Sequence, residues 1–459
     1  MNRALLLWVV AIIGAGLAFA AMNDAYAQGA DPKVAAMTPD APSNAAEARL
    51  QDITRFRERF LAADIAYSDE ARAEAERRLD ALKDRAGEVS HAYFELELSR
   101  IVALADNGHT AAFPWLRAAR YNRIPLRLAA FGEDFYVIRA APEHADLLGA
   151  RLVAIDGRPI AEARTAARSL MGGVPQWRDR FANYLLESPE QLHALELATS
   201  SNGATYRFAL SGGGESERAI TASPASADGD MNRDLYPAPF ESEQGWRTAL
   251  APERAPWALQ NPEERFRWRL APEVDGIVIE LRQNNNAETI TVAQALTQFL
   301  NAITEHEPRN LVLDMRMNSG GDLNTTRAFV QSLPARIPGR IFVLTSPWTF
   351  SAAISTVGYL EQAAPDRVTI VGEPVGDRLE FFAEGGMIEL RNSHLMVLAA
   401  TERHDYATGC EGFADCHGSV ARNPIRVASL QPDIAAPWTI EAYMGGRDPG
   451  MEAVVAALR

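Results

Sequence analysis

The chain has 459 residues, 47% hydrophobic and 23% charged, which gives room for several domains and excludes a mostly disordered or fibrous polymer. Its formal charge is −15, from 45 Lys+Arg against 60 Asp+Glu, and no basic run is available to neutralise phosphates, which argues against a nucleic-acid partner. Only Lys33 and Lys83 are lysine, so the C-terminal three-quarters performs no lysine chemistry. Residues 1–27 read as an export signal: Arg3, the uncharged stretch Ala4 to Ala21, then the small-x-small site Ala25-Tyr26-Ala27. The expectation is a periplasmic or secreted protein with no membrane association after cleavage, an uncleaved anchor being the alternative. Residues 28–47, rich in Ala, Pro and Asp, read as a flexible leader.

From 48 to 122 the periodicity is helical. Leu50, Ile53, Phe56 and Phe60 recur at steps of three and four, Ser68 stands where it would cap DEARAEAERRLDALKDRA, and Phe94, Leu98, Ile101 and Ala105 share a face. This N-terminal helical domain stops near Asn107-Gly108 and presents His109 in a turn, its ring free to project into a cleft. Residues 123–210 change to short strand-like runs, IPLRLAAF, DFYVIRA and ARLVAI, with Asp156-Gly157 as a tight turn and AEARTAARSLM as a helix. Residues 211–264 form a connector rich in Gly, Ser, Ala and Pro. From 265 to 459 strands alternate with helices. GIVIELRQ, NLVLDMR, RIFVLTS, RVTIVGE and HLMVLAA read as buried strands, and ITVAQALTQFLNAITEH and SAAISTVGYLEQAA as helices. That alternation predicts an α/β core.

Two turns in this core suit chemistry. Asp314-Met315-Arg316-Met317-Asn318-Ser319-Gly320-Gly321-Asp322 follows a strand, and paired glycines let backbone N–H groups converge on an oxyanion or phosphate. The Gly-Lys-Ser/Thr ending of a nucleotide loop is missing. In Thr345-Ser346-Pro347-Trp348-Thr349-Phe350-Ser351-Ala352-Ala353 a strand runs into a helix whose first residue is Ser351. A serine there sits at the positive end of the helix dipole, beside an Ala352 N–H with no helical partner, as in a nucleophile elbow. Each turn also has a plain reading, a simple turn for the first and a helix N-cap for Ser351.

Taken together, NGHT, the insert RIPLRLAAFGEDFYVIRA…LLGARLVAIDGRPI, LVLDMRMNSGGD, FSAA, VGEPVG and LQPDIAAP resemble the tail-specific (C-terminal processing) serine protease family, in its tricorn-core-like branch. The resemblance spans roughly residues 50–445. It implies a crotonase- or ClpP-like spiral of β-β-α units, a PDZ-like module at 123–210 and hydrolysis of peptide or protein substrates without a cofactor. It further implies Ser351 as nucleophile, Gly320 or Gly321 with Ala352 as oxyanion hole, and His109 as base. Where the family's Ser–Lys members place a lysine, this chain has Gly372-Glu373-Pro374-Val375-Gly376-Asp377-Arg378, and an arginine is not a base. The serine that precedes the histidine in the tricorn tetrad is here Gly108. For the orienting acid, Glu380, Glu384 and Asp405 are the candidates. A catalytically silent homologue that binds peptide tails is the alternative function, and ester hydrolysis a third.

Cys410 and Cys416 fall in one loop, and in an oxidising compartment they are expected to form a disulfide. His404 and His417 flank them, but the spacing matches no zinc-finger pattern and no metal is expected.

Overall fold

The structure, a computed structural model, describes residues 41–225, 237 and 245–459; the segment read as an export signal, most of that read as a leader and part of that read as a connector lie outside these. No helix among the described residues is long and apolar enough to cross a membrane. The fold is mixed α/β, with four sheets among the described residues.

The N-terminal unit is built on α1 (Ala45–Arg55), continued by the π-helical turn Phe56–Leu61, α2 (Asp69–Asp84) and α3 (His91–Ala103). Each begins where a side chain satisfies an otherwise orphaned amide. Asn44 accepts from Glu47 N–H, Ser68 from Ala71 N–H and Ser90 from Tyr93 N–H. Phe56, Phe60, Leu79, Leu82, Phe94, Leu98 and Ile101 interlock between them.

Residues 123–225 supply six strands of a seven-stranded antiparallel sheet: β1 (Leu126–Phe131), β2 (Asp134–Ala140), β3 (Arg151–Ile155), β4 (Gly203–Ala209) and β5 (Glu215–Thr221), in the order β1-β2-β3-β4-β5, with the short Arg158–Pro159 beside β3. Helix α4 (Ile160–Arg168) buries Ala163 and Ala167 in the same core. The Asp156-Gly157 turn forms as the sequence predicts; the Asp156 carboxylate accepts from Thr199 and Thr205 N–H at 2.7 and 2.6 Å. The sheet continues into the segment read as connector, because β5 pairs along the whole length of β4 and Arg247–Thr248 adds to β2.

The C-terminal unit is a six-stranded sheet. It uses β6 (Phe266–Ala271), β7 (Gly276–Leu281), β8 (Asn310–Asp314), β9 (Ile341–Thr345), β10 (Val368–Gly372) and, near the C-terminus, Ile434–Ala435. All neighbours are parallel except β6 with β7. Alternate residues serve opposite layers. Ile277, Ile279, Leu311, Leu313, Ile341 and Val343 meet α5 (Val292–His306), α6 (Arg327–Arg336) and α7 (Ala352–Ala363). Val278, Val312, Phe342 and Leu344 meet the last helix, Pro449–Ala457. A parallel sheet covered on both faces accounts for the unbroken hydrophobic runs in the sequence. Each large side chain so buried contributes roughly 1.5–3 kcal/mol.

One predicted core strand lies elsewhere. Of HLMVLAA only Met396–Leu398 is a strand, paired with Met387–Glu389 in a hairpin. Leu395, Val397 and Ala399 enter the helical cluster rather than the main sheet. The buried Asp52 carboxylate anchors this hairpin to α1 by accepting from Asn392 and Ser393 N–H at 3.0 and 2.7 Å.

The Cys410–Cys416 disulfide is present, with Cα atoms 5.4 Å apart and a sequence separation of 6. Closing so short a loop contributes about 2 kcal/mol in the chain-entropy model. Denaturant melts with and without reductant should differ by about that amount, with the α/β core still folded in both.

Candidate active site

The loops that leave the carboxyl ends of β8, β9 and β10 meet at one edge of the parallel sheet, where ligand sites of open α/β folds lie. They are stitched together through backbone carbonyls. Thr349 Oγ1 donates to Met315 O at 2.9 Å, Ser346 Oγ to Arg316 O at 2.5 Å and Phe350 N–H to Asn318 O at 3.1 Å. Beneath them the buried Arg316 guanidinium forks onto Asp314 and onto Asp448 of the C-terminal segment, at 2.6 and 2.7 Å. Burial pushes the Asp448 carboxyl up, but Arg316 more than offsets this and holds it below the ordinary carboxylate range.

Ser351 follows directly. Its backbone sits at φ 56°, ψ −128°, a region that an L side chain occupies at a cost of about 1–3 kcal/mol. It stands at the N-cap of α7, yet its side chain accepts no bond from the helix amides, so the plain capping role is not what it performs. Asn284 holds the following turn in place: its amide donates to Ala352 O at 3.1 Å and to Thr356 Oγ1 at 2.9 Å.

Of the two glycines expected at an oxyanion hole, Gly320 already gives its N–H to Asn318 Oδ1 at 2.9 Å. The Gly321 and Ala352 N–H groups are therefore the donors left for an anion. Gly320 has a different task. At φ +105°, a Cβ on it would lie 2.7 Å from Ser351 Cβ and 2.9 Å from Phe350 O. Gly320→Ala should cost about 1–3 kcal/mol of stability and displace Ser351, so that denaturant melts and turnover fall together.

His109 is not a solvated turn residue. Only 9% of it is exposed, and its ring stacks on Phe350 at 4.3 Å and on Phe381 at 5.0 Å between centroids. Its loop is fastened to the strands around the site. The Asn107 side chain pairs like a strand peptide with Phe382, accepting from its N–H at 3.1 Å and donating to its carbonyl at 2.9 Å. Ala111 bridges Leu398, and Thr110 Oγ1 donates to the buried Asp64 at 2.7 Å. A serine at Gly108 would have to displace its neighbours: a Cβ would lie 2.9 Å from both Asp377 Oδ2 and Phe350 Cε2.

The acid nearest His109 is Asp377. Its side chain is fully buried, Oδ1 accepts from Arg378 N–H at 2.9 Å, and Oδ2 stands 3.6 Å from His109 Nδ1. Neither Asp377 Oδ2 nor either ring nitrogen of His109 has a hydrogen-bond partner. The three acids singled out from sequence are engaged elsewhere. Glu380 pairs with Arg403 at 2.5 Å, and Asp405 accepts from Ala407 and Thr408 N–H in its own turn. Glu384 reaches His404 at 3.5 Å, which holds its carboxyl below the usual range. Asp377 lies in the turn of residues 372–378, one residue before Arg378. Arg378 donates to the carbonyl and carboxylate of Asp106, both at 2.7 Å, and so tethers the histidine loop.

Beside the Ser346–Trp348 loop is a cavity of about 300 Å³ shared by the antiparallel sheet and the core; Leu128, Ile138, Met317, Trp348 and Trp438 line it, while Ser351 and His109 do not. Glu373 borders it. Desolvation pushes this carboxyl up to about 7, against the Trp438 backbone amide and Arg316.

No family model matches the chain, and no curated protein matches it in sequence. Among solved structures it is similar to mature CPAF complexed with lactacystin, at 13% identity and a TM-score of 0.57 over 90% of this chain and 98% of that one. Mature CPAF alone gives 12% identity and a TM-score of 0.56, covering 90% and 97%. The photosystem II D1 C-terminal processing protease covers 90% and 97% at 14% identity, with a TM-score of 0.38. The chain shares the CPAF fold across nearly its whole length.

Proposed function

We propose that the protein is an exported serine-type peptidase in which Ser351 is the nucleophile and His109 the base. The observation that carries this reading is Ser351 itself: a non-glycine residue at positive φ, at a strand-to-helix turn, whose hydroxyl does no capping. Strain of this kind persists only where the surroundings impose it, and it aims a hydroxyl away from the helix.

In the reaction, neutral His109 takes the Ser351 proton as Oγ attacks the scissile carbonyl. Gly321 and Ala352 N–H donate to the developing oxyanion at the positive end of α7. Asp377 steadies the imidazolium at Nδ1, a contact that shortens from 3.6 Å as the ring charges. The proton then passes to the leaving amine, and water repeats the sequence to release the acyl group. The 123–210 module resembles a PDZ domain and would hold an extended peptide by adding it as a strand. The core would correspond to the crotonase-like spiral of the tail-specific family. One observation favours the tail-binding alternative: both His109 nitrogens lack partners, so the ring is not hydrogen-bonded to Ser351. Apo geometry of this kind tightens with substrate in many enzymes.

A fluorophosphonate probe separates the two readings. The mature chain should be labelled at Ser351; an unlabelled protein returns the reading to a binder of peptide tails.

A further inference from the structure

The ring stack that begins at His109 does not end at Phe381. Strand β11 (Glu380–Ala383) pairs antiparallel with Glu402–Asp405, which sets Phe381 opposite His404, and these two rings stack at 4.9 Å. His404 in turn stacks on His417 at 4.8 Å and 13°. The His417 backbone is fixed to the same strand, its N–H donating to Arg403 O at 2.9 Å, and the disulfide closes the loop just before it. Glu384 follows β11 at φ +58°, and its carboxylate stands 3.5 Å from His404.

We propose that Glu384, His404 and His417 form a binding site for a divalent transition-metal ion of the zinc type. One potential ligand atom from each residue lies within 4.8 Å of the other two, the one such group among the described residues. His404 is only 2% exposed, and its Nε2 has no hydrogen-bond partner, 3.5 Å from Glu384 Oε1. A buried polar atom without a partner calls for an explanation, and an ion supplies one. The other nitrogen of each ring is already oriented. Tyr406 OH lies 3.0 Å from His404 Nδ1, and Glu402 Oε2 lies 2.7 Å from His417 Nδ1. A carboxylate on the far nitrogen of a ligating histidine is the usual outer support of a zinc site, and it leaves Nε2 for the metal.

The distances suit a small ion. Zinc–ligand bonds of about 2.1 Å at tetrahedral angles place ligand atoms about 3.4 Å apart. The Glu384–His404 pair is already at 3.5 Å, the widest separation must close by up to about 1.4 Å, and the His417 ring must turn out of its stack on His404 so that both in-plane lone pairs meet the ion. Imidazole and carboxylate donors without a thiolate suit zinc and its neighbours rather than calcium or magnesium. The cysteines take no part because they are bonded to each other. Glu384 has 43% of its side chain exposed, so an ion can enter from solvent and keep a water as fourth ligand. The site is separate from Ser351 and does not depend on the peptidase reading.

The test uses the mature chain without a histidine tag, stripped with a chelator and titrated with Co²⁺. One Co²⁺ per chain should bind, with visible d–d bands, no thiolate-to-cobalt charge-transfer band, and displacement by Zn²⁺. His417→Ala, at a partly exposed position, should weaken Co²⁺ at least 100-fold while circular dichroism stays native. Glu402→Gln should weaken it about 10–100-fold through lost orientation of His417. Absence of stoichiometric binding to the native chain overturns the proposal, and so does binding that His417→Ala and Glu384→Gln leave unchanged.

Discussion

Ser351→Ala is expected to abolish fluorophosphonate labelling and to lower peptide hydrolysis by about 10⁴-fold or more, the scale on which loss of a serine nucleophile acts. The fold should be untouched. The hydroxyl makes no capping bond, and alanine inherits the same positive φ, so stability should change by less than about 1 kcal/mol. Ser351→Gly separates strain from chemistry. Glycine adopts φ 56° without the Cβ penalty, so this variant should be as inactive as alanine yet more stable, by about 1 kcal/mol. Denaturant melts of the three proteins decide this. If glycine is no more stable than serine, the backbone at 351 stores no strain and the principal argument for a nucleophile elbow falls.

What could be read in the sequence depended on how local each signal is. The β7 to β10 runs were legible because a doubly covered parallel strand is hydrophobic at every position. The helix start at Ser68 was legible because a cap needs only three residues. Helix α6 was hidden by Pro334 inside it and by the absence of a capping side chain at Thr326. HLMVLAA carries the composition of a core strand, and nothing local shows that its Leu395 and Val397 pack on helices some 300 positions earlier. The site divides in the same way. Ser351 and the two glycines lie in contiguous turns and could be placed. Asp377 could not, because its contact with His109 spans the chain from one domain to another. His404 and His417 could be noticed only beside the cysteines and Glu384 only as a candidate acid, because nothing local shows that a carboxylate just past the neighbouring strand comes beside the two rings.

Replacing the base should separate three neighbouring residues that differ in what they touch. His109→Ala is expected to lower turnover by about 10²–10⁴-fold, the range for a removed general base. Because the ring lies between Phe350 and Phe381, the same change should also cost about 2–3 kcal/mol of stability, more than a surface turn would lose. Asp377→Asn keeps the shape of the pocket but removes the charge that stabilises imidazolium, and an amide can hold the ring in the wrong tautomer. It should therefore reduce kcat by about 10²–10⁴-fold with KM little changed. Arg378→Ala removes only the tether to Asp106, on a side chain 44% exposed, and should leave turnover within about tenfold. A guanidinium remains protonated and cannot replace the base. If His109→Ala stays active while Arg378→Ala is dead, the histidine is a packing residue and the base must be sought elsewhere.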